Sequence, residues 1–198
     1  MTKDQRPETR DVLVDVVVKL GGGLLAHAAH FDAVLAMLVD AAATRRLLVV
    51  PGGGPFADAV RHVDRQLHLS DDAAHWMAVL AMDQHAHLVV SRLAGSVLVG
   101  DAAEAAAALG AARLPVLAPS RWLRDADPLP HTWDVTSDSI AAWVAGALGA
   151  PRLVLVKPPG AAVDNSVDAY FHRALPAHVT LVIVPADQVG VLHAALSA

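Results

Sequence analysis

Two apolar segments of the chain each run directly into three consecutive glycines, and this pattern constrains the fold more than any other feature. The first segment, 11–25, reads DVLVDVVVKLGGGLL, and the second, 47–55, reads LLVVPGGGP. Short runs rich in valine and leucine suit strands that are buried on both faces. Glycines after a strand allow a tight turn, and their N–H groups can approach an anion at the positive end of the next helix. The repeated unit therefore predicts strands with a ligand at their carboxyl ends.

Strands and helices alternate along the rest of the chain. We predict strands at 12–20, 47–50, 114–117, 153–156 and 179–184, with a short strand or a bend at 96–99, and helices at 24–43, 56–67, 70–82, 101–109, 139–148, 167–175 and 188–196. This alternation predicts an α/β fold, a three-layer α/β/α sandwich around a mainly parallel sheet. Residues 120–133 (SRWLRDADPLPHTW) are the longest predicted irregular segment and a candidate lid or substrate loop. Polar residues 1–10 predict a flexible leader before a single domain, 11–198.

Composition narrows the classes of function. The chain of 198 residues has no cysteine, which excludes disulfides and thiolate metal sites and favours a reducing compartment. The net charge is −5 with both signs scattered along the chain, unlike the basic surface of a nucleic-acid-binding protein. The sequence shows no apolar run of membrane-spanning length and no secretory signal at its polar start. We therefore expect a cytoplasmic protein that binds neither nucleic acid nor a membrane.

Several familiar motifs do not fit the chain. The glycine turns match neither GxxxxGK[ST] nor GxGxxG, and there is no GxSxG nucleophile motif. Asp83, His85 and His87 alternate and would form a metal-binding face on a strand. The segment is better explained as the end of a helix, where His85 and His87 do not share a face. We therefore predict no metal site, and we expect most of the 11 histidines at the surface or at helix ends.

Two lysines occupy similar positions at strand ends. Lys19 closes the first apolar run, and Lys157 follows the predicted strand 153–156. The pair suggests an anionic ligand above the sheet, although a solvated lysine at the start of a loop would look the same. Asp138 or Ser137 precedes a helix and would be an ordinary N-cap in the simplest interpretation. The functional interpretation requires Asp138 to face Lys19.

Three strings carry a resemblance to a known family. VVVKLGGGLL, LVVPGGGPFADAVR and WDVTSDSIAAWVAGALGAPRLVLVK follow one another as in the amino acid kinase superfamily, which the chain resembles from its first strand to 153–156. The third string is most similar to a branch associated with methanofuran-type cofactor biosynthesis, which phosphorylates an aminomethyl-furanmethanol phosphate to its diphosphate. The resemblance implies an ATP-dependent small-molecule kinase with ATP and Mg²⁺ as cofactors. It also implies a small-molecule partner and a homo-oligomer.

The same resemblance assigns roles to individual residues. Lys19 would contact the transferring phosphoryl group, Asp138 would hold the basic groups in position, and Lys157 would contact a phosphate, so these three are the candidate catalytic residues. The implied ATP or phosphate site comprises Lys19, Gly21, Gly22, Gly23, Ser137 and Lys157. The implied acceptor site comprises Gly52, Gly53, Gly54, Asp134 and Thr136.

The chain departs from the family pattern in its last third. The turn KPPG at 157–160 lacks the Asp-Gly pair of many relatives, and neither a Gly-Gly-Met segment nor a final Gly-Thr strand is present. We therefore expect an abbreviated nucleotide half. The alternative acceptors are a small carboxylate or another phosphorylated metabolite. The alternative functions are a non-catalytic ligand- or oxyanion-binding protein on the same scaffold and an inactive subunit that needs a partner chain.

Overall fold

A six-stranded sheet forms the centre of the molecule in the computed structural model, which describes residues 13–163 and 166–198. The strand order is β3-β4-β2-β1-β5-β6, and all pairings are parallel. The strands are β1 (Val16–Leu20), β2 (Leu47–Pro51), β3 (Ser96–Val99), β4 (Leu114–Leu117), β5 (Arg152–Lys157) and β6 (Thr180–Pro185). With helices on both faces, the predicted three-layer α/β/α sandwich is confirmed. The predicted leader 1–10 and the predicted strand start at Val12 lie outside the described residues.

Helices connect the strands. A 3₁₀ helix, Gly22–Ala26, is followed by α1 (Ala28–Ala42), α2 (Gly54–Leu67), α3 (Asp71–Arg92), α4 (Ala102–Gly110), α5 (Ser120–Ala126), α6 (Ser137–Ala147), α7 (Phe171–Ala174) and α8 (Val189–Ser197). None of the helices formed by the described residues combines the length and the apolar character needed to cross a bilayer.

Four predicted elements need correction. The predicted helix 24–43 is a 3₁₀ turn and a separate α-helix, with a non-helical residue, His27, between them. α3 continues to Arg92, past the segment 83–87 that was predicted as the end of this helix, because its last turns bury Ala86 and Val89 against the sheet. The predicted irregular segment 120–133 begins with helix α5. The predicted helix 167–175 contains only the single turn of α7.

The alternation of side chains along the strands divides the core into two layers. Val17 and Leu48 pack on the face covered by α6, whereas Val18 and Val49 pack on the face covered by α1 and α8. Successive strand residues point to opposite faces, so Lys19 shares the α6 face with Val17. β1 lies between β2 and β5, which brings the ends of all three strands to one edge of the sheet.

Candidate functional site

A buried cluster of three charged side chains lies where β1 and β5 end. Lys19 Nζ is 2.7 Å from Oδ1 of Asp138, and Lys157 Nζ donates to Oδ2 of the same carboxylate at 2.7 Å. Lys19 and Asp138 are each only 5% exposed, and Lys157 is 7% exposed. Asp138 reaches both lysines because α6 begins over the face of the sheet to which they point. Two cations thus share one anion, an arrangement that favours a further negative charge nearby.

The surroundings of the cluster shift its pKa values. Burial alone would raise the pKa of Asp138, but the charges and hydrogen bonds of Lys19 and Lys157 outweigh burial and hold that pKa below its usual range. Burial and the charge of Lys19 lower the pKa of Lys157, although Asp138 opposes both effects. Lys157 also donates to the carbonyl of Ser166 at 2.6 Å. Asp138 therefore stays ionised at neutral pH and fixes the direction of both lysine side chains.

Asp168 fixes the start of α6 and, with it, Asp138. The Asp168 carboxylate accepts from the backbone N–H groups of Thr136 and Ser139, each at 3.0 Å, and from both of their hydroxyl groups. A carboxylate at this position satisfies N–H groups that a helix leaves without intrahelical partners. The sequence gives little sign of this role, because Asp168 lies about 30 residues away in a segment predicted as a helix.

The two glycine turns pack directly against each other. A Cβ on Gly22 would lie 2.2 Å from the backbone nitrogen of Gly54, and Gly54 itself has a left-handed φ of +54°. A Cβ on Gly52 would lie 2.8 Å from Ser137 Oγ. Close backbone contact is therefore one reason for glycine at these positions. The first-turn N–H groups of the 3₁₀ helix and of α2 open at the same edge of the sheet, where they suit an anion.

A fully buried histidine holds the second glycine turn. His85 on α3 donates from Nδ1 to the carbonyl of Gly52, and its ring lies 6.2 Å from the ring of Phe31. Within the described part of the chain, its Nε2 has no hydrogen-bond partner. Burial lowers the pKa of His85 and the charge of Lys19 adds to this, while the bond to Gly52 opposes them. His85 was predicted only as a residue at the end of a helix, so its contact with the site was missed.

A cavity of about 210 Å³ opens beside the glycine turns. Gly22, Gly23, Gly53, Gly54, Thr136 and Ser137 line its polar side. Val79, Met82 and Ile140 supply apolar surface, and Trp133 supplies an aromatic wall. Trp133 donates from Nε1 to Asp64 at 2.8 Å and carries the guanidinium of Arg61 over its ring at 5.0 Å, so its orientation is fixed. Asp58, Arg61 and Asp71 place charges of both signs on the cavity wall. The cavity therefore suits a small molecule with polar groups and a flat apolar part.

The structure does not bring every predicted site residue to this cavity. The N–H of Gly21 donates to the carbonyl of Val156 at 2.8 Å, and the N–H of Gly52 donates to that of Leu20 at 2.8 Å. Both amides continue the pairing of the sheet and are not free for a ligand, and the expected roles of Gly21 at the phosphate and of Gly52 at the acceptor stay predictions. Asp134 is exposed and is not part of the cavity wall, and its expected acceptor role stays a prediction.

A parallel sheet with paired lysines and glycine turns at its carboxyl edge defines a site suited to phosphorylated ligands. Comparison with known proteins gives the family. The sequence profile of the amino acid kinase family matches residues 16–158. The chain belongs to the amino acid kinase family, and the family resemblance drawn from the sequence is confirmed.

Three similar proteins extend the comparison. The [5-(aminomethyl)furan-3-yl]methyl phosphate kinase of Methanocaldococcus jannaschii is 26% identical over 166 residues, which cover 77% of this chain and 74% of that protein. The fold is similar to that of the uridylate kinase of Archaeoglobus fulgidus, with a TM-score of 0.68, 15% identity and coverage of 91% and 95% of the two chains. It is also similar to the UMP kinase of Ureaplasma parvum, with a TM-score of 0.63, 13% identity and coverage of 87% and 90%.

Proposed function

We propose that the protein is an ATP-dependent phosphotransferase whose acceptor is a small phosphorylated metabolite, most specifically an aminomethyl-furanmethanol phosphate that becomes its diphosphate. The observation that carries the proposal is the buried Lys19–Asp138–Lys157 cluster beside the glycine turns. The archaeal relative is a kinase of an aminomethyl-furan phosphate, which supports the choice of acceptor.

The cluster meets the main requirement of phosphoryl transfer, which is positioning and charge neutralisation rather than covalent chemistry by the protein. Lys19 and Lys157 would neutralise the phosphate oxygens, and the first-turn amides of Gly22, Gly23, Gly53 and Gly54 would orient them. Asp138 would hold the two lysine ammonium groups apart and oriented toward the phosphate oxygens. ATP would supply the γ-phosphoryl group, with Mg²⁺ bound to its phosphates. A cluster of two cations around one anion fits such a polyphosphate.

The cavity beside the glycine turns suits the acceptor of this reaction. The glycine turns and Ser137, which precedes Asp138 on α6, would hold the acceptor phosphate, while Met82 and Trp133 would contact the furan ring. An acceptor phosphate is already ionised at neutral pH, so it can attack without a protein general base. The site therefore needs no histidine or carboxylate in that role.

The non-catalytic alternative is not favoured, because the chain belongs to the amino acid kinase family and the archaeal relative is a kinase. A single domain over 11–198, assembly into a homo-oligomer and a cytoplasmic location stay predictions. Size-exclusion chromatography with light scattering tests the oligomer.

Replacement of Lys19 by alanine tests the function. Wild-type protein mixed with ATP and [5-(aminomethyl)furan-3-yl]methyl phosphate should release ADP and give the two coupled ³¹P signals of a diphosphate. Lys19→Ala should abolish turnover while the variant still folds, as circular dichroism would show. Arg65→Ala, which removes an exposed cation from α2, is the control and should keep full activity. Unchanged turnover in Lys19→Ala would contradict the proposal.

A further inference from the structure

One side of the cavity beside the glycine turns is formed by an irregular part of the chain, residues 127–136, which we call the wall segment. It connects α5 to α6, and its residues Thr132 and Trp133 line the cavity. The wall segment belongs to no helix or strand, so its position depends on the contacts of its side chains. Trp133 ties it to Asp64 on α2. His131 ties it to α3.

His131 lies between two carboxylates. Its Nδ1 is 2.8 Å from Oδ1 of Asp72 in the first turn of α3, and its Nε2 is 2.8 Å from Oδ1 of Asp127, where α5 ends. Carboxylate oxygens only accept hydrogen bonds, so both contacts form only when both ring nitrogens carry a proton. Loss of one proton leaves a nitrogen lone pair facing a carboxylate, which breaks one of the two contacts.

The other groups around His131 accommodate a single imidazolium. Its ring stacks on that of His75 on α3, with centroids 4.1 Å apart and planes 12° from parallel, and Trp76 packs edge-on at 5.2 Å. Burial and the charge of His131 lower the pKa of His75 to about 4, so His75 is neutral and does not repel its neighbour. Arg124 on α5 lies 4.8 Å over the ring of Trp76 and adds a second cation to the group. The two carboxylates that flank His131 offset these two positive charges.

We propose that protonated His131 is a positioning residue for the acceptor, because it holds the wall segment, and with it Trp133, against α3. This inference rests on the proposed function, which makes the cavity the acceptor site. Without the proton the wall segment keeps fewer contacts, so the acceptor meets a less ordered surface. The start of α6 is anchored separately by Asp168. The loss should therefore fall on acceptor binding and spare the chemical step.

The effect of pH has a definite direction. Burial tends to lower the pKa of His131, but the hydrogen bonds and charges of Asp127 and Asp72 outweigh burial and raise that pKa above its ordinary value of 6.5. The contacts of His131 are therefore complete below pH 6.5 and are lost as pH rises through the raised pKa. KM for the acceptor should rise over the same interval of pH.

Two substitutions change this pH dependence in different ways. His131→Arg keeps a cation that can donate to both carboxylates at every pH, so the rise in KM should disappear. Asp127→Asn removes one charge but keeps an acceptor oxygen, and asparagine tolerates the left-handed φ of +40° at this position. Because the pKa of His131 then falls, the rise in KM should move to lower pH.

Steady-state kinetics with [5-(aminomethyl)furan-3-yl]methyl phosphate, from acid to alkaline pH, measures these profiles. In wild type KM should rise about three- to tenfold, as expected for two partly exposed charge pairs, while kcat and KM for ATP change less than about twofold relative to His131→Arg at the same pH. Asp125→Asn is the matched control, because it removes an exposed carboxylate from α5 two residues before Asp127, and its profile should match wild type. Titration of the substrates is common to all these proteins and cancels in the ratios.

Two results would overturn the proposal. The first is the same pH profile of KM in wild type, His131→Arg and Asp127→Asn. The second is a loss of kcat as large as the rise in KM, which would indicate a general disturbance of the site. If His131→Arg does not fold, the direction of the shift in Asp127→Asn decides between the outcomes.

Indole ¹H–¹⁵N spectra of the protein without ligands separate this inference from the proposed function. The signal of Trp133, assigned with Trp133→Phe, should titrate together with the imidazole of His131, whereas that of Trp143, which packs on Trp122, should not. Such a titration without any turnover supports the positioning of the wall segment and refutes the kinase. Normal turnover with a Trp133 signal that does not titrate refutes the inference and leaves the kinase intact.

Discussion

Replacement of Asp138 by asparagine should be among the most destabilising polar substitutions in the chain. The carboxylate has two contacts of 2.7 Å with buried ammonium groups, and all three side chains are nearly inaccessible to water. Asparagine removes the charge but nearly keeps the shape, so Lys19 and Lys157 would remain as two buried cations without a counter-ion. Breaking a buried ion pair costs about 3–5 kcal/mol. For a chain of this length, that lowers Tm by roughly 6–20 °C.

The stability lost in Asp138→Asn should depend on pH. The pKa of Asp138 is lowered in the folded state, so its stabilising effect is complete above the ordinary aspartate pKa of 3.8 and disappears as pH falls through the folded value. The difference in unfolding free energy between wild type and Asp138→Asn should therefore narrow at acid pH. The pKa of Lys157 is lowered in the folded state, so the folded state becomes relatively more stable as that amine loses its proton at alkaline pH. The difference in unfolding free energy between wild type and Asp138→Asn should therefore also narrow at alkaline pH.

Urea unfolding followed by circular dichroism, repeated from acid to alkaline pH, measures this free-energy gap. Asp32→Asn is the matched control, because its pair with Arg92 is about half exposed and surface pairs contribute at most about 1 kcal/mol. If Asp138→Asn proves as stable as Asp32→Asn at neutral pH, the carboxylate does not hold the lysines as described.

Two further substitutions test the contacts that hold the glycine turns in position. Gly22→Ala should cost about 1–3 kcal/mol in urea unfolding, because its Cβ would lie 2.2 Å from the Gly54 nitrogen. Gly110→Ala, where a Cβ meets no atom within 4 Å, should cost nothing, and equal losses would contradict the close packing of the turns. His85→Leu should leave the Gly52 carbonyl unpaired and cost about 1–3 kcal/mol, with a lower kcat. A variant with wild-type stability and kcat would show that His85 does not support the turn.

Local patterns in the sequence predicted much of the fold and part of the site. The β-branched runs gave the strands, and the period of two places Lys19 and Lys157 on one face once the strands are paired. The WDVTSDS string predicted a helix from residue 139 with Asp138 or Ser137 as its N-cap, and the helix begins two residues earlier, at Ser137, with Thr136 as the N-cap. These features depend on neighbours within a few residues, so they can be recognised without the tertiary structure.

The contacts that were missed join distant parts of the chain. Asp168 caps α6 from about 30 residues away, and His75 stacks on His131 across nearly twice that separation in sequence. Nothing local to either residue indicates its partner. Helix α5 was missed for a different reason, because Pro128 and Pro130 made the whole segment 120–133 look irregular although the helix ends before them.

Calorimetric titration of Mg·ATP and then of [5-(aminomethyl)furan-3-yl]methyl phosphate tests the central claim most directly, namely that the Lys19–Asp138–Lys157 cluster serves phosphoryl transfer. The account predicts that both ligands bind the wild-type protein and that ADP appears once both are present. It also predicts that Lys19→Ala weakens ATP binding and releases no ADP. Binding of the furan phosphate or of inorganic phosphate without any binding of ATP would contradict the claim, and the scaffold would then be a phosphate-binding protein.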